Sequence, residues 1–218
     1  MKDLSLYHII RKPQTESDEK PPLLLLLHGY GSNEEDLFSF ASELPAKYFV
    51  ISARAPRPMI PSGNAWYSIY WDEAPKGKWS DDEEAIESRD LIHKFINEAI
   101  SAYDLEDGNV TLLGFSQGTI LSYAVALTYP EKIKNVVALS GYINEPIINV
   151  KNDHSAYAKL NIFCSHGSVD QVIPVEAARM APPFLENLGI QTSLKEYPVG
   201  HGVHPQNFFD AKAWLENH

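Results

Sequence analysis

Ser116 stands at the centre of Gly114-Phe115-Ser116-Gln117-Gly118, a G-x-S-x-G spacing. The chemistry open to a serine so placed is nucleophilic attack on a carbonyl carbon. Before it runs Val110 to Leu113, short and apolar like a buried strand. After it, Thr119 to Tyr129 is apolar almost all round, as in a helix buried on most sides. A strand that turns straight into a helix holds the middle residue in a strained conformation, and only small neighbours let the two backbones pass that closely. The serine is thereby pushed out at the strand's C-terminal end, with the N–H of Gln117 aimed at charge developing beside it. The plainer reading is a tight turn with a capping serine. That reading needs no partners, so the partners decide.

A serine hydroxyl needs a base to take its proton, and the base needs an acid to orient it. In a parallel sheet such groups must lie beyond the C-terminal ends of strands. Of eight histidines, His201 in Gly200-His201-Gly202 follows the last expected strand and precedes the last expected helix. His204 competes, but its place beside Pro205 suits a helix start. His8, His93 and the terminal His218 read as ordinary surface groups. For the acid, Asp170 in His166-Gly167-Ser168-Val169-Asp170 lies past a strand end, between nucleophile and base in chain order. Serine, acid, histidine is the order expected of this elbow. Asp153, in a polar loop, is the second choice.

The oxyanion formed on attack needs two N–H donors facing one point. Gln117 supplies one. The other is expected from Tyr30, in His28-Gly29-Tyr30-Gly31, where the glycines permit close approach. His28 is expected to brace that loop rather than react.

The surrounding elements must bring these groups together. Strands are predicted at Leu4 to Ile10, Leu23 to Leu27, Tyr48 to Ala53, Val136 to Leu139, Leu160 to Cys164 and Thr192 to Tyr197, besides the one before Ser116. The five leucines are too few for a helix between Pro22 and His28-Gly29. Helices are predicted after Ser32, from a capping box Ser80-Asp81-Asp82-Glu83 to about Tyr103, and over Val175 to Leu188 with a break or kink at Pro182-Pro183. A last helix should run over Pro205 to Asn217. The acidic run at 81–84 reads as a helix start rather than a metal site. Residues 56–80 form a long loop rich in Pro, Gly and aromatics, with Trp66, Tyr67, Tyr70, Trp71 and Trp79, and loops this long usually carry function. Strands alternating with helices imply an α/β fold, a mostly parallel sheet with helices on both faces.

At 218 residues the chain is expected to form one domain, 1–218. Its net charge of -11 disfavours nucleic acid and anionic lipid surfaces. The single cysteine, Cys164, excludes an intrachain disulfide and a multi-thiolate metal site. No targeting segment or membrane-length apolar run is visible, so no membrane insertion is expected and a cytoplasmic location is.

His28-Gly29-x-Gly31, Gly114-Phe115-Ser116-Gln117-Gly118, His166-Gly167-x-x-Asp170 and Gly200-His201-Gly202 together resemble the phospholipase/carboxylesterase family of α/β-hydrolases, which includes acyl-protein thioesterases and small carboxylesterases. The resemblance spans Leu23 to Leu215. It implies an α/β-hydrolase fold, a Ser116–His201–Asp170 triad, oxyanion donors at Tyr30 and Gln117, no metal or organic cofactor, and a possible homodimer. The pair Trp66-Tyr67 matches an aromatic pair common in the family, which makes both candidates for substrate contact. The activity so implied is hydrolysis of a small-molecule carboxylic ester or thioester through an acyl-serine. It should fall on the acid side near the reference histidine value of ~6.5. With no lid beyond the 56–80 loop, small or medium acyl groups are expected. A serine peptidase and a non-catalytic binding module are the two rivals.

Overall fold

The computed structural model describes residues 2–70, 80–192 and 194–218; Trp71 and Trp79 of the expected loop lie outside them. Seven strands make the main sheet: β1 (His8–Arg11), β2 (Leu23–Leu27), β3 (Phe49–Ala53), β6 (Val110–Phe115), β7 (Ile133–Leu139), β8 (Asn161–Gly167) and β9 (Leu194–Tyr197). Their order is β1-β3-β2-β6-β7-β8-β9. Only β1 runs antiparallel, on β3; the other pairs are parallel. The ends of β2, β6, β8 and β9 therefore open on one rim, and the loops that follow them can meet there.

Alternation along β2 splits the leucines between two cores. Leu23, Leu25 and Leu27 face the cluster built with α2 (Asp82–Tyr103), α3 (Gln117–Thr128) and α5 (Ala181–Asn187). Leu24 and Leu26 face α1 (Glu35–Phe38) and α6 (Pro205–Asn217). All five are fully buried. A continuous apolar run is what a strand covered on both faces requires. Every residue of α3 is buried too, which accounts for its lack of a polar face.

Four expectations shift. The α2 helix is capped by Asp81, whose carboxylate accepts from Glu84 N–H at 3.0 Å, one residue later than the expected box at Ser80. The helical stretch after residue 174 breaks at Met180 between α4 (Val175–Arg179) and α5; Pro182 and Pro183 start the second helix, where missing N–H groups do no harm. The 56–80 loop holds a two-stranded hairpin, β4 (Arg57–Pro58) with β5 (Asn64–Ala65). His8 is no surface group: it is buried on β1, with Nδ1 2.9 Å from the Leu6 carbonyl and Nε2 2.7 Å from the Tyr103 hydroxyl. Among the described residues no helix is long and apolar enough to cross a membrane.

Candidate active site

Ser116 joins β6 to α3 with φ 53° and ψ -116°. This left-handed φ is the strain expected of a nucleophile elbow. Its neighbours show why nothing larger fits. A Cβ on Gly114 would lie 2.5 Å from the Gly118 carbonyl, and one on Gly118 would lie 1.9 Å from the Leu27 carbonyl oxygen. The second contact is between α3 and β2, so the same glycine sets the elbow and seats the helix on the sheet.

The loops after β6, β8 and β9 converge on one chain of hydrogen bonds. His201 Nε2 lies 2.9 Å from Ser116 Oγ, and His201 Nδ1 lies 2.7 Å from Asp170 Oδ2. Asp170 Oδ1 accepts from the N–H groups of Val172 (2.8 Å) and Ile173 (3.0 Å). Burial alone pushes this carboxyl up. The His201 bond and the two backbone donors outweigh it, and the net displacement is downward. Asp170 is thus held as a carboxylate that keeps Nδ1–H on its own side of the ring and leaves the Nε2 lone pair toward the serine. Ser116 and Asp170 are buried, and the His201 side chain is partly open.

The competitors have other duties. His204 Nδ1 accepts from Gln206 N–H and caps α6. Asp153 caps a short 3-10 turn by accepting from Ser155 N–H, and is exposed. His166, which no sequence argument gave a role, is fully buried behind the acid: its Nε2 donates to the Ile173 carbonyl at 2.8 Å and lies 3.3 Å from Asp170 Oδ2. It braces the turn that carries Asp170. Its presence four residues before the acid, at a strand end, was the available signal.

The loop after β2 passes directly over the serine. A Cβ on Gly29 would sit 3.4 Å from Ser116 Cβ and 3.1 Å from the Phe115 ring. His28 is fully buried, and its Nε2 accepts from Ala55 N–H at 3.0 Å. The proton is therefore on Nδ1, which donates to the Gly29 carbonyl at 2.7 Å. In a trans peptide the C=O and the following N–H point in opposite directions, so fixing the Gly29 carbonyl also fixes the direction of Tyr30 N–H. On the other side, α3 begins without a side-chain cap; the N–H groups of Thr119 and Ile120 turn back to the Ser116 carbonyl, and no side chain caps the N–H of Gln117. Burial lowers the affinity of His28 for a second proton, and the nearby carboxylates of Asp36 and Glu34 do not reverse this.

Trp66 is completely buried, and its indole N–H donates to the His28 carbonyl at 3.0 Å. It buttresses the loop from behind instead of facing an open cleft. Tyr67 is buried beside it. Among the described residues no group of three or more His, Cys, Asp or Glu side chains could hold a metal ion.

The phospholipase/carboxylesterase family model matches residues 10–218. The chain belongs to that family. It is 28% identical over 155 residues to a probable carboxylesterase of Oryza sativa subsp. japonica, an alignment covering 71% of this chain and 58% of the rice protein. To acyl-protein thioesterase 1 of Saccharomyces cerevisiae it is 32% identical over 124 residues, 56% of this chain and 53% of the yeast protein. The matched segments thus span little more than half of either relative. The crystal structure of a carboxylesterase from Mesorhizobium loti superposes with a TM-score of 0.82 at 20% identity, covering 100% of this chain and 98% of the other. At that identity the likeness establishes the α/β-hydrolase fold alone.

Proposed function

We propose that this family member hydrolyses carboxylic esters or thioesters of small molecules through an acyl-serine intermediate, with Ser116 as nucleophile, His201 as base and then acid, and Asp170 as the group that orients it. The observation that carries the reading is the relay of 2.9 Å and 2.7 Å from Ser116 Oγ through His201 to Asp170. Ser116 Oγ attacks the carbonyl carbon as its proton passes to His201 Nε2. Negative charge gathers on the carbonyl oxygen, which lies toward the N–H groups of Gln117 and Tyr30. Collapse expels the alcohol or thiol, which leaves with the proton from His201. Water then loses a proton to the same nitrogen as it attacks the acyl carbon, and collapse breaks the bond to Ser116 Oγ, which takes that proton back from His201 as the acid leaves. A cytoplasmic setting and a homodimer belong to the same reading; the dimer is supported by family resemblance, and sedimentation velocity tests it.

A fluorophosphonate probe should label the folded protein at Ser116 and leave Ser116→Ala unlabelled, and the variant should lose essentially all turnover of p-nitrophenyl acetate. Full labelling of the alanine variant would overturn the assignment. A panel of matched esters and thioesters of rising acyl length then reads the substrate class. Small or medium acyl groups are expected to lead, and a marked preference for very long chains would contradict that expectation.

A further inference from the structure

Gln117 uses two groups in two directions. Its backbone N–H belongs to the first turn of α3, beside the serine. Its side chain turns away and spends both ends on a segment some fifty residues earlier. Oε1 accepts from Trp66 N–H at 2.8 Å, and Nε2 donates to the Tyr67 carbonyl at 2.7 Å. A backbone N–H can only donate and a carbonyl can only accept, so the orientation of the amide is dictated by its partners. Gln117, Trp66 and Tyr67 are all buried, which leaves no water to replace either bond.

The clamped segment leads back to the other side of the serine. The Trp66 carbonyl accepts from Arg57 Nη1 at 2.6 Å and from the Ser88 hydroxyl, which ties it to α2. The Trp66 indole N–H holds the His28 carbonyl, and the His28 ring holds the Gly29 carbonyl. One path of short contacts therefore runs from the Gln117 side chain, through Trp66 and His28, to the Gly29–Tyr30 peptide. The two N–H groups assigned to the oxyanion come from different loops, after β2 and after β6. Strand pairing and the β2–α3 crossing bring the loops together as far as Leu27 and Gly114, and both donors lie beyond that pair, where the clamp adds a further link.

We infer that the Gln117 carboxamide is a positioning residue: by clamping Trp66–Tyr67 it locks the two oxyanion donors into one rigid unit. The inference rests on the acyl-serine reading above. It concerns the side chain only, since the backbone N–H survives any substitution at this position except proline.

Glutamate at this position separates the clamp from mere packing. A protonated carboxyl keeps the shape of the amide, accepts from Trp66 N–H and donates O–H to the Tyr67 carbonyl. Ionised, it has no donor and sets negative charge against that carbonyl, and burial raises the pH at which this happens. We compare kcat for Gln117→Glu with the parent from pH 5.5 to 8 as a ratio, which removes the pH dependence that the two proteins share. The ratio should be about tenfold below one at pH 8, a partial loss of one oxyanion donor, and should rise as pH falls, with KM changing less. Gln117→Met, of equal length with no hydrogen bond, should show a low ratio that does not move with pH. A pH-independent ratio for the glutamate variant, or parental kcat in the methionine variant, overturns the inference. Should the glutamate variant fail to fold at pH 8, a cycle of Gln117→Met with Trp66→Phe decides. Both act on one path, so the double variant should lose no more than about the larger single loss. Fully multiplicative losses reject the path. A parent that neither labels with fluorophosphonate nor turns over ester defeats the acyl-serine reading itself. A labelled, active parent with failed ratios defeats only the clamp.

Discussion

Replacing His28 with alanine deletes the donor that fixes the Gly29 carbonyl and leaves the Ala55 N–H without its acceptor, all in a fully buried place. The two losses are read by different measurements. The stranded N–H should lower stability by about 1–3 kcal/mol, seen as a shift in urea midpoint. The freed Gly29–Tyr30 peptide should lower kcat for p-nitrophenyl acetate by roughly tenfold to a few hundredfold, the upper end being the loss of one whole oxyanion donor, about 2.7–4 kcal/mol. KM should move little, because the donor serves charge that exists only after attack. A stability loss with unchanged kcat would detach His28 from the oxyanion site. The residue never meets substrate in this account, and its effect travels through one peptide plane.

At the scale of elements, the close crossing of β2 and α3 is the constraint on which the site geometry stands. Gly118→Ala would set a methyl group 1.9 Å from the Leu27 carbonyl oxygen, against main chain that cannot swing aside. We expect a loss of roughly 3 kcal/mol or more in urea unfolding, or no soluble protein, where alanine for a helical glycine ordinarily gains about 0.5–1 kcal/mol. A midpoint within experimental error of the parent would mean that α3 sits higher over the sheet. The β6–α3 elbow was legible from the sequence because its causes are local, small residues at fixed offsets between a strand pattern and a helix pattern; that Gly118 also seats α3 against Leu27 of β2 was not. The five leucines were legible for a like reason, pinned between Pro22 and His28-Gly29 with no room for a helix. Elements whose causes are distant were not. His8 looked like a surface residue on an alternating strand, but its ring bonds to Tyr103, 95 residues away at the end of α2. The β4–β5 hairpin has two residues per strand, too few to show any period. The cap of α2 fell one residue late because Ser80 and Asp81 are both good caps, and the Tyr70 hydroxyl donates to Asp81 at 2.8 Å from across the loop. Within the site, Ser116, Asp170 and His201 announced themselves by type, order and strand ends. The bracing of His166 and the turn of the Gln117 side chain inward to Trp66 and Tyr67 depend on partners that no spacing reveals.

For the whole molecule, the response of stability to acid combines effects of opposite sign. The chain carries a net charge of -11, and protonating carboxylates relieves some of that self-repulsion. Against this stand carboxylates held below their usual range by partners, Asp170 among them, whose stabilisation is lost as pH falls through their depressed values, below about pH 4. Histidine acts at higher pH. Burial holds His28 below its ordinary value, while in the unfolded chain it takes up a proton near pH ~6.5. Below that pH the unfolded state binds more protons than the folded one, so stability falls as pH falls, by at most about 1.4 kcal/mol per pH unit for one histidine. The loss continues down to the folded-state value and then stops. His93, lowered by burial but half open, adds to the same sign with a smaller weight. Urea midpoints taken at half-unit steps from pH 7.5 to 5 should therefore be level above about 6.5 and decline below it. His28→Asn keeps a donor for the Gly29 carbonyl and removes the titrating ring. Its midpoint should start lower, for want of an acceptor at Ala55, and decline less steeply across the same interval. Equal slopes in parent and variant would show that the His28 imidazole is not the group that makes the fold sensitive to mild acid.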